Sequence, residues 1–332
     1  MSLTLLIGDL HYKKSNKDET DEFEKSILEY LEQNQNFEKI IVLGDILDTH
    51  EKINISPLIR ATKFLIRLSS YSITYVLVGN HDRPNGEVFL TEEHSLYPLK
   101  FTAYDIEIID KVYIEDDLIF VPYVEPGRFM EALGTKKIFK EELENGKYKY
   151  IFAHQEFFGA QMGGLISQMG DKWNKNYPRI ISGHIHDYQV LDNITYIGTP
   201  YQTGYGDNPN KGIYILDQNG DLEKISLNIT PKIIIHLPIE EVLDYNFPED
   251  AKIKLVIEGD ASEVRKIINT GEYRRKLKNI KCSIKDIPKH ISFDLGGGEK
   301  RLLTIPKIIE LIKKDCKDQV EEEILDKLFP IS

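Results

Sequence analysis

The stretch Ile73-Thr74-Tyr75-Val76-Leu77-Val78-Gly79-Asn80-His81-Asp82 governs how the rest of the chain is read. Its first six residues are mostly apolar and rich in β-branched side chains, which predicts a buried strand. Gly79 breaks the run, and three polar residues of ligand or acid–base type follow. Open α/β sheets carry their sites at the carboxyl ends of strands, where this turn would fall. Gly, Asn and Asp are also ordinary turn residues, so the stretch by itself fits a plain polar turn equally well.

The layout recurs. An apolar run at 3–7 leads into Gly8-Asp9-Leu10-His11, whose Asp and His are two apart and share one side of an extended segment. Residues 39–43 lead into Gly44-Asp45-Ile46-Leu47-Asp48, residues 148–153 into His154-Gln155, and residues 179–182 into Gly183-His184-Ile185-His186. Between the first three strands lie two helical patterns. Thr20 is the expected cap of the first, which buries Phe23, Ile27, Leu28 and Leu31. Ser56-Pro57 is the expected start of the second, which buries Leu58, Ala61, Leu65 and Leu68. Residues 3–82 therefore read as β-α-β-α-β with a parallel sheet and right-handed crossovers. After a helical stretch at 127–145, short strands dominate, which suggests two packed sheets with helices outside.

A chain of 332 residues has room for a large domain and a smaller one. No apolar run approaches the ~20 residues that span a bilayer, and the chain enters a strand at once, so neither a membrane anchor nor a signal peptide is expected. Two cysteines, Cys282 and Cys316, lack CxxC spacing. They exclude a cysteine-based zinc site and fit a reducing cytoplasm. The net charge of −12 argues against a general nucleic-acid coat, though not against a nuclease with local basic groups.

Five of the nine histidines sit in the strand-end set. Carboxylate, imidazole and amide donors suit first-row divalent ions. Seven ligands are too many for one tetrahedral ion and suit two ions sharing a carboxylate. In this order, D-x-H, G-D-x-x-D, G-N-H-D, H and G-H-x-H, the motifs resemble the calcineurin-like metallophosphoesterase family over roughly residues 5–217. Within it, Ala153-His154-Gln155, Gly198-Thr199-Pro200 and the run from Gly206-Asp207 to Lys211-Gly212 look like the short, phage-like form of the SbcD-type nuclease.

The resemblance implies a four-layer α-β-β-α sandwich (residues 1–228), a small α/β capping domain (229–295) and a linker with a helical segment (296–332). It implies that Asp9, His11 and His186 hold one metal and that Asn80, His154 and His184 hold the other, with Asp45 bridging and manganese the expected ion. His81 would stabilise developing charge and protonate the leaving oxygen. Asp48 would orient His81 by a hydrogen bond, although many cellular members carry histidine there. Asp82 reads as a support of the turn. The implied activity is duplex-end exonuclease and single-strand endonuclease in double-strand-break processing. The implied partners are DNA, a second copy of the chain and an SMC-type coiled-coil ATPase docked through residues 304–329, in the host cytoplasm if the chain is phage-encoded.

Other residues carry weaker expectations. Arg83 could reach a phosphate. Between Lys252 and Lys285 ten basic residues face four acidic ones, and Arg274, Arg275, Lys276 and Lys278 are bunched, which would suit a DNA backbone or simply a solvated face. His50, His94, His236 and His290 read as ordinary histidines. Two rival functions remain. One is a stand-alone phosphoesterase acting on a small phosphoester or cyclic nucleotide, against which the cap and tail argue. The other is a non-catalytic scaffold, which predicts eroded ligands; no ligand is eroded.

Overall fold

The computed structural model describes residues 3–304, excepting 35, 51, 86, 288–289 and 295–299, and side chains as far as residue 287. The chain divides after Pro231 into two compact units, against an expected boundary after residue 228.

The first unit is built in four layers. In chain order it holds β1 (Leu3–Ile7), α1 (Lys17–Gln33), β2 (Phe37–Val42), α2 (Ile55–Ser69), β3 (Ile73–Leu77), β4 (Ile106–Ile109), β5 (Tyr113–Glu115), β6 (Leu118–Val121), α3 (Phe129–Gly134), α4 (Lys140–Glu144), β7 (Tyr150–His154), β8 (Gln161–Met162), β9 (Leu165–Ile166), β10 (Arg179–Gly183), β11 (Gln189–Leu191), β12 (Ile194–Tyr196), β13 (Ile213–Leu216) and β14 (Leu222–Ile225). One sheet runs β14-β13-β1-β2-β3-β4, the other β11-β12-β10-β7-β6-β5. Strands β1 to β4 are mutually parallel, as are β6, β7, β10 and β12. Antiparallel strands sit only toward the edges.

Alternation along the strands explains the layers. Leu5, Ile7, Ile40, Val42 and Val76 face α1 and α2, packing on Phe23, Ile27, Leu31, Phe64 and Leu65. Their neighbours Leu6, Ile41, Tyr75 and Leu77 face the other way and meet Phe120, Phe152 and Ile181 of the second sheet. The far face of that sheet is covered by α3 and α4 through Phe129, Leu133 and Leu143. Burial on both faces is why these strands read as continuous apolar runs.

Helix boundaries differ modestly from expectation. Helix α1 starts at Lys17 with Asn16 at its cap position, so Thr20 lies within the helix. Its hydroxyl bonds back to the carbonyls of Asn16 and Lys17. Helix α2 starts at Ile55, one residue before the expected cap. The stretch read as helical over 127–145 holds two short helices.

The second unit holds β15 (Lys232–Pro238), β16 (Lys252–Gly259), α5 (Ala261–Ile268), α6 (Gly271–Lys276), β17 (Lys281–Asp286), β18 (His290–Asp294) and β19 (Lys300–Thr304). β15, β16 and β17 form a parallel sheet over a small core of Leu237, Val242, Leu255, Ile257 and Val264. β18 and β19 pair as an antiparallel hairpin. Asp260 caps α5 by accepting from the main-chain N–H groups of Ser262 and Glu263. Gly296-Gly297-Gly298 and, beyond Thr304, the expected docking segment lie outside the described residues. Among the described residues no helix is long and apolar enough to cross a membrane.

Candidate metal centre

Parallel pairing brings the carboxyl ends of β1, β2 and β3 to one edge of the first sheet, and those of β7 and β10 to one edge of the second. Asp9 and His11 follow β1, Asp45 follows β2, and Asn80 and His81 follow β3. His154 ends β7, and His184 and His186 follow β10. Three of these residues leave their strands in the left-handed region: His11 at φ 47°, Asp45 at φ 48° and His184 at φ 79°. A non-glycine residue held there costs on the order of 1–3 kcal/mol and needs local compensation. Here the Asp45 carbonyl accepts from the N–H groups of Leu10 and His11, and the His184 N–H donates to the Asp9 carboxylate at 3.0 Å.

The glycine of the central turn allows close approach rather than flexibility. A Cβ on Gly79 would stand 2.2 Å from Asp45 Oδ1 and 2.3 Å from its main-chain nitrogen. Gly44 has φ 102°, and a Cβ there would stand 2.5 Å from His154 Nδ1.

The donors gather in three overlapping groups, each with its ligand atoms within 4.8 Å of one another: Asp9, His11 and His186; Asp45, His154 and His184; and His11, Asp45 and His81. Asn80 Oδ1 joins the second, 3.0 Å from His154 Nε2 and 3.0 Å from His184 Nδ1. Asp45 lies between the first two, with Oδ2 3.7 Å from His11 Nε2 and Oδ1 3.3 Å from His154 Nε2.

Ring nitrogens and oxygens crowd together across this cluster. His154 Nδ1 lies 2.6 Å from the Leu43 carbonyl, which can only accept, so Nδ1 carries a hydrogen and Nε2 is the atom that faces two oxygens, from Asn80 and Asp45. His11 Nε2 lies 2.9 Å from His186 Nε2, and His11 Nδ1 is buried with no hydrogen-bond partner. Carboxylate, imidazole and amide donors converging this closely fit divalent metal.

The protonation pattern points the same way. Burial holds His11 and His184 down at about 3 and lowers His186, so all three imidazoles are neutral, as ligands must be. Burial raises Asp9 to about 7. Burial also works against charge on Asp45 and His154, but their mutual contact wins: His154 rises to about 9 and Asp45 falls well below the carboxylate range. Without metal, a proton on His154 supplies the positive charge that the donors require.

Around the donors the expected residues take different places. His81 Nδ1 lies 2.8 Å from Asp48, but the atom it meets is the main-chain carbonyl oxygen. The Asp48 carboxylate turns away to Lys13 Nζ at 2.9 Å and stands 3.6 Å from His11 Nδ1. Asp82 is buried, and its carboxylate accepts from the N–H groups of Leu47 and Gly79, tying the second and third turns together. Arg83 is corrected: it is 2% exposed, its guanidinium donates to the carbonyls of Asn85, Val88 and Tyr123, and it stacks over Tyr123. It braces a loop and faces no solvent-borne phosphate. Arg274, Arg275 and Lys278 are exposed on the second unit, and Lys276, half-buried, lies over the Phe247 ring.

Two contributors escaped the sequence reading. His50 stacks on His81, with ring centroids 4.5 Å apart and planes 22° apart. Asn16 is buried and donates to the His11 carbonyl, anchoring the turn that carries that ligand. Neither belongs to a motif, and only the folded path of residues 46–50 and 12–16 brings them in.

The family model described as calcineurin-like phosphoesterase matches residues 3–188. The chain is 34% identical over 316 residues to the provisionally named phosphoesterase 078R of Invertebrate iridescent virus 3, covering 91% of this chain and 90% of that protein. It is 36% identical over 274 residues to the similarly named 244L of Invertebrate iridescent virus 6, covering 80% and 93%. It is 25% identical over 281 residues to exonuclease subunit 1 of Enterobacteria phage T4, covering 80% and 76%. The match to the family model takes in all five motifs, and both viral relatives extend it across most of the chain; this protein belongs to the calcineurin-like phosphoesterases, which are metal-dependent hydrolases.

Proposed function

We propose that the protein is a two-metal phosphodiesterase that cleaves DNA, with manganese as its ion and an SMC-type ATPase as its partner. The observation that carries this reading is the pair of donor groups meeting at Asp45. Asp9, His11 and His186 would hold one ion, and Asn80, His154 and His184 the other. Divalent ions held there would supply the Lewis-acid chemistry that phosphodiester hydrolysis needs.

The chain's own residues do the rest. His81 Nδ1 is committed to the Asp48 carbonyl, which leaves Nε2 to exchange a proton with the leaving oxygen. The His81 main-chain N–H donates to Asp45 Oδ1 at 2.9 Å and fixes the shared carboxylate relative to the acid. Likeness to the phage exonuclease subunit supports DNA as substrate. The exposed bases Arg274, Arg275 and Lys278 support a backbone contact on the second unit. A homodimer in the cytoplasm, with residues 304–329 on the ATPase, completes the proposal.

Parallel assays on linear duplex DNA, single-stranded circles, bis-p-nitrophenyl phosphate and p-nitrophenyl phosphate test it. Cleavage of both DNA forms and of the diester, with the monoester slow, is expected. A preference for the monoester would favour a small-substrate phosphatase.

A further inference from the structure

A cleft of about 370 Å³ opens directly beside the donor cluster, and His184 and His186 line it. Gln161 and Met162, from the β8–β9 hairpin, form part of its lining, as do Gly206, Asp187 and Asp207. Its volume lies within the range that holds a small organic group. A phosphodiester bound at the donor cluster would have this space open to one of its substituents.

Charge narrows what that substituent can be. The Asp207 carboxylate accepts from the Thr203 N–H and hydroxyl and from the Gly204 N–H. These bonds overcome its partial burial and hold its pKa below the ordinary value. Asp187 pairs with Lys211 at 2.8 Å, and the Lys211 side chain is largely buried and also donates to the His186 carbonyl. Two carboxylates with no unpaired ammonium or guanidinium among the lining residues disfavour a second phosphate. They suit a neutral group that presents N–H donors. Met162 offers a polarisable thioether, which favours a flat aromatic face, and the Gln161 side-chain amide can pair with ring heteroatoms.

We propose that this cleft is a nucleobase subsite, which receives the base next to the scissile phosphate. The assignment rests on the phosphodiesterase reading above and deepens it. It makes the chain selective for nucleotide esters over simple ones, through contacts that need no base identity.

Gly206 provides a probe, because a Cβ there meets nothing within 4 Å and its backbone lies outside the left-handed region. Gly206→Phe should fill the cleft without displacing the chain, and Met162→Trp fills it from the hairpin side. The substrates are the p-nitrophenyl ester of thymidine 5′-phosphate and methyl p-nitrophenyl phosphate, which share a leaving group; the first carries a nucleoside where the second carries a methyl group. The wild type should favour the nucleoside ester in kcat/KM by roughly tenfold or more, and either variant should erase most of that preference while methyl ester hydrolysis stays within about twofold. Equal kcat/KM for the two esters in the wild type, or a preference that survives both substitutions, overturns the subsite and leaves the diesterase reading standing. Hydrolysis of neither ester by the wild type removes the diesterase reading and the subsite together.

Discussion

The main-chain carbonyl oxygen of Asp48 lies 2.8 Å from Nδ1 of His81, while the Asp48 carboxylate points to Lys13. The contact that fixes the ring is therefore independent of the side chain at position 48. Asp48→Ala should keep kcat within about tenfold of wild type. His81→Asn should lose at least about 100-fold, the low end of a general acid's contribution. Steady-state kinetics on a diester separates the two; equal losses would return the orienting role to the carboxylate.

His50 supplies the outer face of the His81 ring. Aromatic stacking contributes about 0.5–1.5 kcal/mol beyond area, which corresponds to about 2- to 10-fold in rate if it only steadies the ring. His50→Ala should lower kcat by that factor with KM unchanged, and His50→Phe should restore it. A phenylalanine variant as slow as the alanine one would show that the imidazole acts chemically.

Asp82 satisfies two buried N–H groups on neighbouring turns. Asp82→Ala leaves both unpaired and should destabilise the fold by about 1–3 kcal/mol for each orphaned group, less whatever water recovers. Urea denaturation midpoints at constant m-value measure this. No shift in midpoint would mean that the turns are held by other contacts.

Metal loading should release protons. His154, raised to about 9 by Asp45, and Asp9, raised to about 7 by burial, both hold protons in the metal-free protein at neutral pH and must lose them to act as ligands. The neutral His11 and His184 give none up. Affinity should therefore fall as pH drops from 9 toward 6. Calorimetry in two buffers of different ionisation enthalpy should give roughly one to two protons released at pH 7. Binding without proton release would contradict the assigned donor set.

The sheet strands were legible because burial on both faces makes them uninterrupted apolar runs, and each motif then follows a strand end. The periodicity of α1 and α2 gave their buried faces, but not their starts. Asn16, which stands at the cap position of α1, spends its side chain on the His11 carbonyl and the Lys13 N–H rather than on the helix. Arg83 was misread because its position in the chain, next to His81 and Asp82, says nothing of which way its guanidinium turns. His50 was missed for the complementary reason: its role depends on a loop path, and one histidine outside a motif carries no periodic signal.

The central claim is that the donor groups meeting at Asp45 bind two divalent ions which cut DNA with His81 as the acid. The most direct measurement compares manganese stoichiometry and duplex cleavage for the wild type and His81→Asn. The account requires both proteins to bind two ions per chain and only the wild type to cut. Cleavage by His81→Asn at near the wild-type rate, with both ions bound, would contradict it.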